Sequence, residues 1–419
     1  MKREDKELIK NLSASLHEND WFLKKRLKAL NLLDTLDSPR IDRFDYQEWN
    51  HFEKINHWKE NDQSSKDLNT SLSVDYIQKS SGELQKINPS KKIMVASFQE
   101  LFQKNQTLFK EIYQKSAFLD FNDRFDAFNL AYLTSGTFIY IPAGVQVKDP
   151  IQFAFLNEEW GPNNTNHQVY IYAEENTAVE IIENYSSYGE HRKLSKVNIR
   201  VHIETARGAN VKYTAMDEFD EYTQAFFRRS GQLGQDTTLN LALGMMSNGK
   251  VIEDLQVDLI GDGSAADLKT VAISQKHQKQ VANTKVINHG AHTVGNIYQH
   301  GVALDEAVLT FNGVGDVQKD AKHSDAQQES RILMLSEDAR ADTNPILLID
   351  EYELTAGHAA SISRVDEKQL YYLMSRGLGR KDAEKLVIRG FLGSVLSAIS
   401  VEAVRNHLVE TIERKLTLL

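Results

Sequence analysis

The chain has 419 residues, of which 41% are hydrophobic and 26% charged, and this composition excludes a largely disordered or collagen-like protein. A formal net charge of -10 and a pI near 5.8 argue against a general nucleic-acid binder, because such proteins neutralise phosphates with Lys and Arg. The absence of cysteine excludes disulfides, thiolate nucleophiles and thiolate-bound metal sites made by this chain alone.

The N-terminal segment MKREDKELIKNL is charged, and no run of eighteen apolar residues follows it. A signal peptide needs an apolar stretch near the N-terminus, and a membrane-spanning helix needs about 20 apolar residues. These features predict a cytoplasmic protein without membrane contact, and the lack of cysteine fits a reducing compartment.

Residues 1–125 are predicted to form an N-terminal helical region. A first helix face is indicated by apolar residues at helical spacing, and a second helical pattern covers residues 97–116. The segment NDQSSKDLNTSLS at 61–73 has the composition of a loop. The residues of the first face are Trp21, Leu23, Leu27, Leu30 and Leu33.

Residues 126–355 are predicted to form a β core. From Ser135 onward, short runs such as SGTFIYI and NIRVHIETA alternate apolar and polar residues and end at Gly, Asn or Asp. A small residue followed two and four positions later by strand-forming residues recurs at intervals of 32, 28, 29, 27 and 14 residues. The small residues are Thr177, Ala209, Thr237, Ala266, Thr293 and Ala307.

These intervals lie close to multiples of 14, so two strands with their turns would complete one coil every 28 residues. Repeated units that bury one face each need stacked neighbours to complete a core. A β-sandwich also has a turn about every 8 to 12 residues, but the long run of strands without a helical interruption favours a coil. The sequence therefore predicts a mainly β protein built on a right-handed β-helix of two sheets.

Residues 356–419 are predicted to form a C-terminal helical domain. The segments EKQLYYLMSRG, KDAEKLVIRGFLGSVLSAI and EAVRNHLVETIERKL have helical periodicity. Asp366 is suited to cap the first of these helices and Gly377 to end it.

The C-terminal helices combine a basic face with a set of aromatic and aliphatic residues. The basic residues are Arg376, Arg380, Lys381, Lys385 and Arg389, and the apolar ones include Tyr371, Tyr372, Leu373 and Phe391. A helix, glycine turn and helix also occur in DNA-binding helix-turn-helix units. The aromatic and aliphatic residues favour protein docking instead.

Enzymatic motifs are not apparent in the sequence. The segment GDGSAADL at 261–268 lacks the Lys of a phosphate-binding loop and lies between predicted strands. No Ser, His and Asp set has an order or spacing typical of a hydrolase. We therefore expect no enzymatic activity and no ATP site on this chain.

Three segments carry a resemblance to a known family: FIYIPAGVQVKDPIQ at 138–152, SDAQQESRILMLSEDARADTNPILLI at 324–349 and AGHAASISRVDEKQLYYLMSRGLGRKDAEKLVIRGFL at 356–392. Together they resemble the SufB/SufD family of iron–sulfur cluster assembly proteins, over roughly residues 120 to 400. The resemblance implies a helical N-terminal region, a β-helix core and a C-terminal helical domain that binds the ATPase SufC.

Within that family the resemblance favours the SufD branch, since SufB members usually carry a cysteine where this chain has Ala356. It implies a scaffold subunit that pairs with a SufB-like protein and reaches ATP only through a SufC-like protein. Iron or a cluster is expected to be held transiently at the interface with SufB, with none bound stably by this chain alone. A homodimer is possible when the chain is isolated.

The candidate ligand for iron or a cluster is His358, which lies among Ala356, Gly357 and Ala359. A neutral imidazole is a competent iron ligand, and small neighbours leave room for a cysteine of another protein. A lone His more often has a structural role, and it is the resemblance that favours ligation.

Weaker candidates are the carboxylates Asp350, Glu351 and Glu353, whose oxygens suit ferrous iron. In an unbroken strand, Asp350 would share a face with His358 and the two Glu residues would face the other way. Most such residues are solvated charges at strand edges. The docking candidates for SufC are Tyr371, Tyr372, Leu373, Arg376, Arg380, Lys385 and Phe391.

Two functions from other classes remain open at this point. β-Helices host many carbohydrate-active enzymes, and fold alone does not set function. A helix-turn-helix regulator with a β-helix sensor would bind DNA through the C-terminal helices.

Overall fold

The computed structural model describes residues 3–52, 74–90, 92–159, 164–396 and 402–417. The predicted loop at 61–73 lies outside these residues. Among the described helices, none combines the length and the apolar character needed to span a bilayer.

Helices lie at the two ends of the chain. Side-chain caps begin several of them: the Ser97 hydroxyl accepts a hydrogen bond from the Glu100 N–H at 3.1 Å, and the Asp366 carboxylate accepts one from the Lys368 N–H at 2.8 Å. The helices are α1 (Arg3–Ser15), α2 (Asp20–Leu32), α3 (Phe98–Lys104), α4 (Gln106–Tyr113), α5 (Arg124–Ala131), α6 (Glu367–Ser375), α7 (Arg380–Leu396) and α8 (Glu402–Thr417).

Strands fill the centre of the chain. Those of the N-terminal part are β1 (Tyr76–Lys79), β2 (Leu84–Lys86) and β3 (Met94–Ser97). Those of the core are β4 (Ser135–Ile141), β5 (Ile151–Glu158), β6 (Asn164–Ala173), β7 (Ala178–Tyr188), β8 (Ser195–Thr205), β9 (Asn210–Glu218), β10 (Thr223–Leu233), β11 (Thr238–Met245), β12 (Lys250–Leu259), β13 (Ala265–Ser274), β14 (Lys279–Asn288), β15 (Val294–Ala303), β16 (Val308–Val317), β17 (Asp325–Met334), β18 (Arg340–Ile349) and β19 (Thr355–Arg364).

The core strands alternate between two parallel sheets. Sheet A has the order β19-β17-β15-β13-β11-β9-β7-β5-β1-β2, and sheet B has the order β18-β16-β14-β12-β10-β8-β6-β4-β3. Each strand therefore pairs with the strand two places away in sequence, one coil above or below it. The predicted β-helix of two sheets is confirmed.

Small buried residues mark the corners of the coils, as the sequence predicted. Thr177 and Thr237 immediately precede β7 and β11, and each is buried. Just before them, Asn176 and Asp236 adopt left-handed backbone conformations, with φ of 55° and 57°. Asn and Asp tolerate this conformation better than most residues, which explains the turn residues between the strands.

The space between the two sheets, here called the lumen, holds the main apolar core. Alternate residues of each strand point into it, such as Val211, Tyr213 and Ala215 on β9. Parallel sheets need both faces covered. The N-terminal region packs on the outer face of sheet B, where Trp49 contacts a cluster that includes Phe226, while the C-terminal helices cover part of the outer face of sheet A.

The β structure extends beyond the predicted core at both ends. Strands β1 to β3 occur within the region predicted as helical, because β1 pairs in parallel with β5 and β3 pairs with β4. At the other end, β19 continues to Arg364 because it pairs with β17 along its whole length. The helical domain therefore begins after Arg364 instead of at residue 356.

The buried face of α2 differs in part from the prediction. Leu30 is buried as expected, but Trp21, Leu23, Leu27 and Leu33 are only half-buried. Arg26 is buried instead, since its guanidinium pairs with Glu18 and donates to the carbonyl oxygens of Ala131 and Leu133 at 3.1 and 2.9 Å. A buried charge is tolerated when it is fully paired in this way.

Candidate functional site

The C-terminal end of the β-helix is open. Strands β18 and β19 end the spatial order of sheets B and A, so each has one edge without a strand partner among the described residues. Leu348 and Ile349 are exposed there, and Tyr352, in the turn between the two strands, is 98% exposed. Unpaired strand edges beside exposed apolar side chains are typical of a surface that pairs with another chain.

His358 lies on the inward face of this last coil. Its register partner on β17 is Gln328, and the same column continues down the lumen through buried residues. His358 is exposed because no strand lies beyond β19 among the described residues. Below Gln328 the column consists of Ile297, Leu268, Leu241, Tyr213 and Ile181.

The small neighbours of His358 divide between the two faces of β19. Ala356 and Ala360 lie on its own inward face, since their register partners Ala326 and Ser330 are buried in the lumen. Gly357 and Ala359 lie on the other face. The inward face around the imidazole therefore carries little bulk, and the histidine is accessible from the open end.

The three candidate carboxylates lie in the turn between β18 and β19, not on one strand with His358. The unbroken strand that would have placed Asp350 on the same face as His358 is absent, because residues 350–354 turn the chain from sheet B to sheet A and end the alternation. Glu351 accepts hydrogen bonds from the N–H groups of Tyr352 and Glu353, which lower its pKa, and Glu353 lies 3.6 Å from His323. These contacts make both Glu residues part of the corner.

Among the residues that the structure describes, no three side chains of His, Asp or Glu lie close enough together to hold a metal ion.

The lumen also contains a buried ionic network. Glu183 accepts hydrogen bonds from the hydroxyls of Tyr185 and Tyr213, and Arg229 pairs with Glu253. Burial raises the pKa of Glu253 to about 7, against the opposing effect of the Arg229 charge. Because these groups are enclosed in the middle coils and pair with one another, we interpret them as structural.

A second candidate surface is an apolar groove between α6 and α7, here called the helical groove. It has a volume of about 460 Å³ and is lined by Lys368, Gln369, Tyr372, Leu373, Leu386 and Val387. Tyr372 and Leu386 are exposed. Two predicted docking residues, Tyr372 and Leu373, thus line one groove, and the neighbouring Tyr371 is exposed as well.

Two of the predicted basic residues contact α6, which forms one side of this groove. The Arg376 guanidinium lies 5.1 Å from the ring centre of Tyr372, and Arg380 forms ion pairs with Glu367 and Glu384 at 2.8 and 3.0 Å. Lys385 is half-buried on α7. Phe391 is the exception, because it packs on the outer face of sheet A with its ring 5.2 Å from that of His300.

The sequence did not single out Tyr352 or Gln328. Tyr352 is an aromatic residue in a turn, where composition gives no signal for exposure. Gln328 belongs to the alternating run Ala326, Gln328, Ser330 and Ile332, a period of two from which its inward position could have been predicted. The sequence did not indicate that the coil after Gln328 is the last one, which leaves His358 uncovered.

Comparison with known proteins places these features in a family. Residues 155–391 match the family described as SUF system FeS cluster assembly, SufBD core domain. Residues 67–153 match the family described as the SufBD protein N-terminal region. The core match spans more than half of the chain and includes most of the β-helix, the last coil and the helical groove.

Curated relatives agree with this match. The chain is 35% identical to the iron-sulfur cluster assembly protein SufD of Bacillus subtilis, with 98% of each chain covered. It is 23% identical to an iron-sulfur cluster assembly SufBD family protein of Staphylococcus epidermidis, covering 94% of this chain and 89% of the relative. A member of the same family from Staphylococcus aureus is also 23% identical, with the same coverage.

Proposed function

The chain belongs to the SufB/SufD family of iron–sulfur cluster assembly proteins, and we propose that it works as a SufD-type, non-enzymatic scaffold subunit. The observation that carries the proposal is His358, an inward-facing imidazole left uncovered at the open end of a β-helix. A cytoplasmic location stays a prediction of the sequence.

The partner at the open end is a SufB-like subunit in this proposal. Two adjacent strand edges, β18 and β19, offer backbone N–H and C=O groups to added strands, and such pairing gives affinity through main-chain hydrogen bonds. Exposed Ile349 and Tyr352 supply apolar area beside these edges. A partner with a β-helix of its own would continue both sheets.

Iron or a nascent cluster is the cargo of this interface. A neutral imidazole suits iron, and cysteines supplied by the SufB-like partner would complete the ligand set. Ala356 and Ala360 flank His358 on the inward face and leave the partner's side chains room to approach. Cargo is therefore held only while both subunits are in place, with none bound stably by this chain alone.

The helical groove is proposed to receive a SufC-like ATPase. Its lining combines exposed apolar side chains with Lys368, and Arg376 and Arg380 lie beside it. ATP reaches the complex through that partner, and its hydrolysis would shift the relative positions of the two scaffold subunits. Family membership argues against the carbohydrate-active enzyme and the helix-turn-helix regulator.

The test replaces His358 with Ala in the full chain, with Ser361→Ala as the matched control. Ser361 is exposed on the outward face of the same strand. Because His358 is exposed at the open end, the variant should still fold, and its free energy of unfolding should fall by no more than about 3 kcal/mol, the upper cost of stranding one hydrogen-bond partner. Cluster assembly by the complex reconstituted with SufB-like and SufC-like proteins should fall by about tenfold or more, as expected when a metal site is perturbed.

The control variant should assemble clusters at the normal rate. Normal assembly by His358→Ala would contradict the ligand role, and a loss of thermal stability combined with normal assembly would indicate a structural histidine instead.

A further inference from the structure

Gln328 lies directly beneath His358 in the same inward column. The two residues are register partners on β17 and β19, so their Cα atoms belong to adjacent strands about 4.8 Å apart. Gln328 is only 4% exposed, whereas His358 is exposed at the open end. Gln328 is thus the first buried polar side chain below the candidate ligand.

Only one of the two polar atoms of the Gln328 amide has a hydrogen-bond partner among the described residues. Its Nε2 donates a hydrogen bond to the Ile346 carbonyl oxygen at 2.9 Å, while its buried Oε1 has no hydrogen-bond partner within the described residues. Glycines on the opposite sheet make room for this head group. A Cβ at Gly313 would lie 3.0 Å from Oε1, and one at Gly315 would lie 2.6 Å from Nε2.

An unpartnered buried acceptor costs about 1 to 3 kcal/mol, so a nearby donor is expected. One coil lower, in the neighbouring inward column, the amide oxygen of another buried glutamine has a hydrogen-bond donor. The Gln299 Oε1 accepts a hydrogen bond from the Ser330 hydroxyl at 2.8 Å, and Ser330 is the register partner of Gln299 one coil above. For Gln328 the residue in that position is His358.

We propose that Gln328 is a positioning residue for His358: its Oε1 accepts a hydrogen bond from one ring N–H of the imidazole. This bond selects one tautomer and leaves the other ring nitrogen unprotonated and directed toward the open end. Metal-binding histidines commonly donate their second ring nitrogen to an oxygen in this way. The inference rests on the proposed ligand role of His358 and identifies Gln328 as the residue that orients its imidazole.

The test is the tautomer of His358, measured by ¹⁵N chemical shifts in the metal-free full chain labelled at histidine. The His358→Ala variant assigns its signals. One neutral tautomer should dominate in the unmodified chain. A mixture equal to that of a free histidine side chain would overturn the proposal without any further variant.

Substitutions then separate positioning from packing. Gln328→Met keeps the size of the side chain but removes the acceptor, so the tautomer populations should become mixed and cluster assembly should fall by about tenfold. Gln328→Glu also loses the Nε2 donor to Ile346 but keeps an oxygen acceptor, so it should preserve the dominant tautomer and separate the loss of the acceptor from the loss of that donor. Gln327→Met, on the outward face of the same strand, is the matched control and should change neither measurement.

The outcomes distinguish this inference from the proposed function. Normal cluster assembly with the His358→Ala variant would contradict the proposed ligand role of His358 itself. If that variant fails in assembly while Gln328→Met keeps both the tautomer and the assembly rate, the ligand role stands and the positioning role is wrong.

Discussion

At the scale of single residues, Glu218 connects the last helix to the outer face of sheet A. Its carboxylate accepts hydrogen bonds from His407, Thr411 and Arg414 at 2.6, 2.8 and 2.8 Å. The hydrogen bond to Glu218 raises the pKa of His407. Burial raises the pKa of Glu218, but the hydrogen bonds from His407 and Thr411 and the charges of His407 and Arg414 together outweigh burial and lower it. The contact is strongest when both groups are ionised.

This pair predicts how stability depends on pH. Since the pKa of His407 is raised in the folded state, its contribution is complete below the unfolded value of about 6.5 and is lost as pH rises through the folded value. The contribution of Glu218, whose pKa is lowered, is present above about 4.5 and is lost as pH falls through the folded value. Docking of α8 is therefore expected to be tightest between these limits.

The measurement compares thermal unfolding of the unmodified chain and His407→Gln from pH 5.5 to 8.5. Partial exposure of His407 limits the effect to about 1 kcal/mol or less. The variant should melt at a lower temperature near pH 6, and the difference should shrink toward pH 8.5. His277→Gln, at an exposed histidine that pairs with Glu306 at 3.2 Å, serves as the control. A difference that stays constant with pH would contradict the ionic contact.

At the scale of secondary-structure elements, α6 and α7 form the helical groove while the rest of α7 docks on sheet A. Ile388 and Leu392 of α7 are buried against the outer face of the sheet. Leu386 lies on the same helix and is 46% exposed in the groove. One face of α7 thus holds the domain to the β-helix, and another remains free for a partner.

We expect Leu386→Asp to weaken binding of the SufC-like ATPase by at least about tenfold, since it places a charge in an apolar contact. The fold should be unchanged because the side chain is exposed. Lys381→Ala is the control, as position 381 lies about 140° around the helix from position 386. Binding is measured by calorimetry with the purified ATPase, and equal affinities for the two variants would rule the groove out as the docking site.

At the scale of the whole molecule, the β-helix is covered along its sides and open at one end. The N-terminal region covers sheet B and the C-terminal helices cover part of sheet A, whereas the last coil has exposed edges on both sheets. Pro345 in β18 removes one N–H donor from the exposed strand, a common feature of edge strands. The open end is therefore the surface that we expect to join two scaffold subunits.

Ile349→Lys tests this expectation, because Ile349 is 50% exposed beside the open edge. The change should weaken pairing with a SufB-like subunit by about tenfold or more and should also abolish any homodimer of the isolated chain. Ile87→Lys, a similar change at a residue that is 58% exposed next to β2, should leave both unaffected. Light scattering of the isolated chain and of the mixture reports the two associations, and equal effects of the two variants would contradict end-to-end pairing.

The arrangement of the strands in coils could be predicted from the sequence alone. Alternation of apolar residues is a local property of a strand, and turn residues such as Thr177 and Thr237 mark corners through local backbone preferences, so both could be read without coordinates. The resemblance carried by the segments around His358 also predicted the family that the comparisons confirm.

Which side chains meet one another, and which face of each helix is buried, could be seen only in the tertiary structure. Asp350 and His358 are eight positions apart in sequence but lie on either side of a corner, where alternation no longer relates their faces. Phe391 packs against His300 because α7 buries one of its apolar faces on sheet A. Helical spacing in the sequence does not reveal which face of α7 is buried. Gln328 meets His358 only through the register between coils. That register and the choice of buried face are set by contacts between residues far apart in sequence.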